Sequence, residues 1–217
     1  MIKAIIFDFW NTLAYDKSNR NPVVEIGKIM KLMDKKVWYK PIEESMMTKV
    51  FKNKKEAFTN LCNNIGVKPT QKLISRLIKI YRPEKFYLFP DTISILKKLK
   101  KRFKLILVSN TECFAAKEFY NVNLDKYFNL LIFSCYTGIL KPDKRIYQMV
   151  LRKFKLAPKE VLMVGDNFND DILPALRLGM DGILIKRKTT YTLSWDETRK
   201  YDKTITNLEE LVKYLSI

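Results

Sequence analysis

The chain has 217 residues, 47% of them hydrophobic and 12% aromatic, with only 6 glycines and 8 prolines; this is the make-up of a packed globular protein with room for one domain plus a modest insertion, and it excludes a linker-rich or disordered chain. There is no histidine, so imidazole bases, imidazole metal ligands and Ser-His-Asp triads are excluded, and carboxylates, lysines and hydroxyls must carry any chemistry. The formal net charge is +18 and favours anions, but the lysines are scattered, and the densest run, Lys97 to Lys104, interleaves with Ile93, Leu96, Leu99 and Phe103 at helical spacing, so small phosphorylated anions are expected as partners and nucleic acid is not.

In chain order, Lys3-Ala4-Ile5-Ile6-Phe7-Asp8 is a short apolar run ending in a carboxylate, the pattern of a parallel strand buried on both faces. Residues 17–85 follow with apolar positions at helical spacing, among them Val50, Phe51, Phe58, Leu61 and Ile65, then Leu73, Leu77, Ile78 and Tyr81 before Pro83. A crossover between parallel strands needs far fewer residues, so this stretch is read as an inserted α-helical cap. Pro90-Asp91 starts the next helix. Strands are predicted at Leu105–Ser109, Leu130–Ser134, Val161–Asp166 and Gly182–Ile185, the last after a helix ending at Gly179, and Asn207 caps a final helix carrying Leu208, Leu211, Val212 and Leu215. The expected fold is α/β: a three-layer Rossmann-like parallel sheet core formed by residues 1–16 and 86–217, with the helical cap at 17–85. In such sheets the site lies beyond the carboxyl ends of the strands, which brings Asp8, Ser109 and Asp166 to one mouth.

No stretch is apolar enough to span a membrane, Met1-Ile2-Lys3 leads straight into a run broken by Asp8 without a signal-peptide pattern, and Cys62, Cys113 and Cys135 form no C-x-x-C pair. The expectation is a cytoplasmic protein with reduced cysteines and no membrane partner, acting as a monomer or homodimer.

Four separated motifs stand in order: Asp8-Phe9-Trp10-Asn11-Thr12-Leu13, Ser109-Asn110, Lys141-Pro142-Asp143, and Gly165-Asp166-Asn167 followed by Asp170-Asp171. In these the sequence resembles the haloacid dehalogenase-like hydrolases, across nearly all of the core. The resemblance implies a Mg²⁺-dependent phosphatase of small phosphorylated metabolites, with Asp8 as nucleophile and metal ligand, and with Asp166, the main-chain carbonyl of Trp10 and Asp171 serving the metal. It also implies that Ser109 and Asn110 hold phosphate oxygens, that Lys141 neutralises charge on the transferring group, that Thr12 orients the first loop, and that Asp171 steadies Lys141 or the metal shell. Lys17 and Arg20, just beyond that loop, are candidate substrate contacts.

Position 10 departs from the pattern. Most phosphatases of the family carry an aspartate there, which protonates the leaving oxygen and then activates water; an indole does neither. Three readings stay open. The substrate's leaving group needs no proton or another carboxylate, Glu112 or Asp16, supplies it; the chain is a metal-independent 2-haloacid dehalogenase, whose relatives carry an aromatic residue here and a tyrosine six beyond the lysine, as Tyr147 stands to Lys141; or the scaffold is a catalytically weak binding or regulatory module in which Trp10 blocks or stacks in the pocket. Gly165-Asp166 argues against the dehalogenase, which has no need of a second metal-binding carboxylate.

Overall fold

The run Ala4–Phe7 (β1) holds four apolar residues and is buried throughout; a segment of this kind is stable only with both faces covered. The computed structural model of the chain describes residues 1–16, 21–82, 85–188 and 201–217. After β1 come β2 (Ala14–Tyr15), the helices α1 (Pro22–Ile29), α2 (Lys35–Met47), α3 (Lys54–Asn64) and α4 (Gln71–Ile80), and β3 (Tyr87–Leu88), which pairs antiparallel with β2. The remainder alternates through α5 (Thr92–Leu99), β4 (Lys104–Ser109), α6 (Cys113–Asn121), β5 (Leu130–Phe133), α7 (Ser134–Thr137), α8 (Lys144–Phe154), β6 (Val161–Gly165), α9 (Leu173–Arg177), β7 (Asp181–Ile185), β8 (Thr204–Ile205) and α10 (Leu208–Tyr214).

Six strands form one parallel sheet in the order β5-β4-β1-β6-β7-β8. Alternate residues of each strand face opposite layers. Ile5, Phe7, Leu105, Leu107, Leu162 and Val164 pack toward α5, α6 and α10, whereas Ala4, Ile6, Ile106, Val108, Val161 and Met163 pack toward α8 and α9. Each buried Val, Leu, Ile, Phe or Met side chain removed from water contributes about 1.5–3 kcal/mol, which is why polar residues stand only at the ends of the central strands. Phe7 lies opposite Leu107 on β4 and Val164 on β6, so the polar residues that follow these strands emerge at one edge. This is the α/β sheet expected from the apolar runs.

Helices α1, α3, α4, α8 and α10 start where a side-chain oxygen satisfies free N–H groups of the first turn. Asn21 accepts from Val23 and Val24, Asn53 from Glu56, Thr70 from Leu73, Asp143 from Arg145, and Asn207 from Glu210 as expected. α5 begins after Asp91 as predicted, but Asp91 does not cap it. Its Oδ2 accepts instead from the N–H of Leu208 at 2.8 Å and from Arg187 Nη1 at 2.7 Å, and so ties α10 to the segment after β7. Arg187 in turn donates to the Thr12 carbonyl at 3.0 and 3.1 Å.

Two local expectations are corrected. Val50 and Phe51 lie in the loop before α3, because Asn53 caps that helix and resets the chain; Phe51 is buried there and Val50 is exposed. The lysine run does not stay helical to Lys104: α5 ends at Leu99, and Lys104 opens β4. The cysteines are free and buried, and no described helix is long and apolar enough to cross a membrane.

Candidate active site

The loop after β1 is built around one residue in the left-handed region. The N–H of Asp8 donates to the Val164 carbonyl at 2.9 Å, the N–H groups of Leu13 and Ala14 converge on the Phe9 carbonyl, and Asn11 adopts φ 55°. Asparagine is among the non-glycine residues that occupy this region most readily. The turn folds Thr12 back beneath the strand end, where its hydroxyl donates to Asp8 Oδ2 at 3.4 Å. Asp8 and Thr12 are both buried.

Lys141 enters from the segment between α7 and α8. Its main chain is clamped by Asn110, whose Oδ1 accepts from the Lys141 N–H at 2.8 Å and whose Nδ2 donates to the Lys141 carbonyl at 3.1 Å. Asn110 lines the cavity, and its amide positions the lysine. The ammonium lies 2.5 Å from Asp8 Oδ1 and 2.6 Å from Asp171 Oδ1, with all three side chains buried. Burial alone would lower the Lys141 pKa, but Asp171 and Asp8 together outweigh it and hold the ammonium well above the ordinary lysine range. The other oxygen of Asp171 accepts from the Asn167 N–H at 3.1 Å. A Cβ on Gly165 would come within 2.3 Å of that oxygen, so the absence of a side chain there is what lets Asp171 reach Lys141.

Asp166, the residue after β6, accepts from Asn11 Nδ2 at 3.2 Å. Carboxylate oxygens of Asp8, Asp166 and Asp171 lie within 4.8 Å of one another. Burial first, then the charges of Asp8 and Asp171, push the Asp166 carboxyl well above the ordinary carboxylate range, and burial likewise pushes Asp171 up to about 7 against the pull of Lys141. Three carboxylates packed around one ammonium leave uncompensated negative charge, and hard oxygen donors so arranged fit a divalent cation.

Trp10 is half-buried and anchored. Its indole N–H donates to Thr111 Oγ1 at 3.1 Å, and its ring meets Phe9 edge-on at 5.1 Å and Phe86 at 6.0 Å. Its only polar hydrogen is thus spent on the protein. Ser109 closes β4 one residue behind the cavity wall; it is fully buried, and its hydroxyl has no partner among the described residues. Glu112 is accounted for otherwise than as a proton donor: its oxygens cap α6, accepting from Phe114 at 2.6 Å and Ala115 at 3.0 Å. Tyr147 is buried behind the acidic turn, donating to the Asp170 carbonyl at 2.5 Å. Lys17 and Arg20 lie outside the described residues.

The strand ends open into a cavity roofed by the helices between β2 and β3. Asp8, Lys141, Asp166 and Asp171 form its floor; Asn21 and Val23 of the α1 start, Tyr39, Glu43 and Met47 of α2, and Tyr81 form the opposite side. Sequence reading did not single out Asn11, Thr111 or any of the α2 residues. Asn11 stood inside the first motif and Thr111 just after the second, whereas the spacing of Tyr39, Glu43 and Met47, four apart, was the available signal for α2.

A parallel sheet with an acidic cluster at its carboxyl edge defines the chain as an α/β protein. The sequence profile of the haloacid dehalogenase-like hydrolases matches residues 2–179, and the chain belongs to that family. It is similar to the glyceraldehyde 3-phosphate phosphatases of Methanopyrus kandleri, 30% identical over 202 residues and covering 86% of this chain and 85% of the relative, and of Methanothermobacter thermautotrophicus, 30% identical over 201 residues and 88% of each. In fold it resembles a HAD phosphatase from Thermococcus onnurineus, with TM-score 0.63 at 20% identity over 99% and 98% of the two chains. It resembles equally a 2-haloacid dehalogenase from Pseudomonas syringae, with TM-score 0.65 at 21% identity over 100% and 99%.

Proposed function

We propose that the chain is a Mg²⁺-dependent phosphatase of small phosphorylated metabolites that works through an aspartyl-phosphate on Asp8. The observation that carries this reading is the buried Asp8–Lys141–Asp171 contact beside Asp166 at the sheet mouth. Asp8, Asp166 and the Trp10 carbonyl would hold the ion, with Asp171 close by; when bound, it offsets the repulsion between an anionic nucleophile and an anionic substrate.

Asp8 then attacks phosphorus while Thr12 and Lys141 fix the direction of its carboxylate. Lys141 neutralises charge growing on the phosphoryl oxygens, and Asp171, held by the Asn167 N–H, keeps the ammonium in place. Ser109, expected as a phosphate contact, lies buried behind the cavity wall with its hydroxyl unpartnered among the described residues, so Asn110 and Thr111 would be the residues of that segment that face the substrate. The helices α1–α4 act as a cap, residues 17–85, whose closure excludes water and whose inner wall reads the rest of the substrate. Beside Glu43 that wall carries the neutral polar groups Asn21, Tyr39 and Tyr81, which suits the hydroxyl and aldehyde of a triose phosphate, the substrate class for which the 30%-identical relatives are named.

Two findings speak against dehalogenation: Asp166 is present in the acidic cluster, and Tyr147 is engaged behind it. Phosphate release from glyceraldehyde 3-phosphate and p-nitrophenyl phosphate is expected with Mg²⁺, and it is lost with EDTA or in Asp8→Asn. Chloride release from 2-chloropropionate with EDTA present would contradict the assignment.

A further inference from the structure

An in-line displacement sends the leaving oxygen away from the nucleophile. With Asp8 on the floor, that oxygen departs toward the roof of the cavity. Trp10 has no acidic proton to give it, and its N–H is held by Thr111. Glu112 is held by the N-terminus of α6. On the roof itself α2 presents Tyr39, Glu43 and Met47 to the cavity, because they are one helical turn apart on a partly buried stripe beside the fully buried Ile42 and Met46. α2 is fixed by its neighbour: Asn60 donates to the Ser45 carbonyl at 3.0 Å and Asn64 to the Ser45 hydroxyl at 3.1 Å. Among the described residues, no hydrogen bond or ion pair engages the Glu43 carboxyl.

We propose that Glu43, supplied by the helical roof, is the proton donor to the leaving oxygen and afterwards the base that activates water, the work that Trp10 cannot do; this rests on the phosphatase reading above. In the first step Asp8 forms a bond to phosphorus, the bond from phosphorus to the alkoxy oxygen breaks, and the Glu43 proton passes to that oxygen to release the alcohol. In the second, the Glu43 carboxylate takes a proton from water as the water oxygen attacks phosphorus. The bond to Asp8 breaks, and hydrogen phosphate leaves with Glu43 protonated again.

The surroundings suit both halves of this cycle. Burial first, then the charge of Asp170 on the acidic turn, raise the Glu43 carboxyl to about 7, with Glu44 adding and Lys40 and Lys141 opposing. A group that titrates near neutrality is the effective kind of acid and base at that pH.

The test is Glu43→Gln, assayed with Mg²⁺ on glyceraldehyde 3-phosphate in the steady state and on p-nitrophenyl phosphate by stopped flow. Alkyl phosphate turnover should fall about 10²–10⁴-fold. The p-nitrophenol burst, one equivalent per Asp8, should persist near the wild-type rate, since that leaving group departs without a proton; the slow phase that follows reports the lost water activation. The persisting burst also shows that the variant is folded. Alkyl phosphate turnover at the wild-type rate, alongside an inactive Asp8→Asn, would overturn the role of Glu43 and leave the phosphatase reading standing. Loss of the burst together with turnover would assign Glu43 to binding or folding and equally overturn it. Absence of Asp8-dependent phosphate release from the wild type would remove both readings.

Discussion

At the scale of single residues, the site is an arrangement of charges that no member could hold alone. Lys141 stays protonated because Asp8 and Asp171 flank it, and Asp171 reaches it because Gly165 leaves the space empty. Asp8, Lys141, Asp166 and Asp171 were legible in the sequence because each stands at or just after the end of a strand, or in a short motif at fixed order. Glu43 was not. Its role follows from where α2 sits over the sheet, and periodicity tells which face of a helix is apolar without telling what the other face meets. The same residue gives a stability prediction. Its carboxyl is raised from 4.5 to about 7, so the folded chain binds that proton more tightly than the unfolded chain does. The cost of burying the ionised form is absent below pH 4.5, grows as pH rises, and is complete above about 7. Glu43→Gln should therefore be more stable than the wild type at about pH 8, by at most about 3 kcal/mol, and no more stable at about pH 4. Thermal unfolding at the two pH values checks this, and an advantage that is larger in acid would contradict it.

At the scale of elements, caps and strand ends decided what the sequence revealed. Asn207 starts α10 as its residue type predicts, while Val50 and Phe51, apolar at helical spacing, fall outside α3 because Asn53 starts the helix after them. A hydrophobic pattern marks burial; a cap marks where the backbone changes course. Asp91 shows what neither signal contains. Beyond preceding α5, it joins the α10 N-terminus to Arg187, and Arg187 supports the Thr12 carbonyl in the loop after β1. The Arg187 and Asp91 side chains are only 5% and 11% exposed, so removing one partner strands a largely buried charge. Asp91→Ala should lower stability by about 3–5 kcal/mol, measured by urea denaturation. It should also reduce turnover, since the loop under Asp8 loses its support; an unchanged midpoint would show that the ion pair is immaterial.

At the scale of the whole molecule, surface and cavity differ in sign. The chain carries a formal charge of +18, yet among the described residues lining the cavity seven carboxylates face one lysine. On the phosphatase reading, such a surface would draw phosphorylated anions by long-range attraction that salt weakens, while the cavity would accept a phosphate only once much of its own negative charge is neutralised. The fold was legible because two-sided strands leave continuous apolar runs. The roof was legible only as an insertion too long for a crossover, its contacts with the floor being set by three-dimensional packing. The central claim is that the Asp8 carboxylate carries a covalent phosphoryl intermediate taken from the substrate. It is tested most directly by mixing the protein with Mg²⁺ and p-nitrophenyl phosphate, quenching in acid during turnover, and measuring intact mass with peptide mapping. One phosphoryl group on the peptide containing Asp8, absent in Asp8→Asn, is the predicted result; phosphate released steadily while that peptide stays unmodified at every quench time, or a phosphoryl group on another residue, would contradict it.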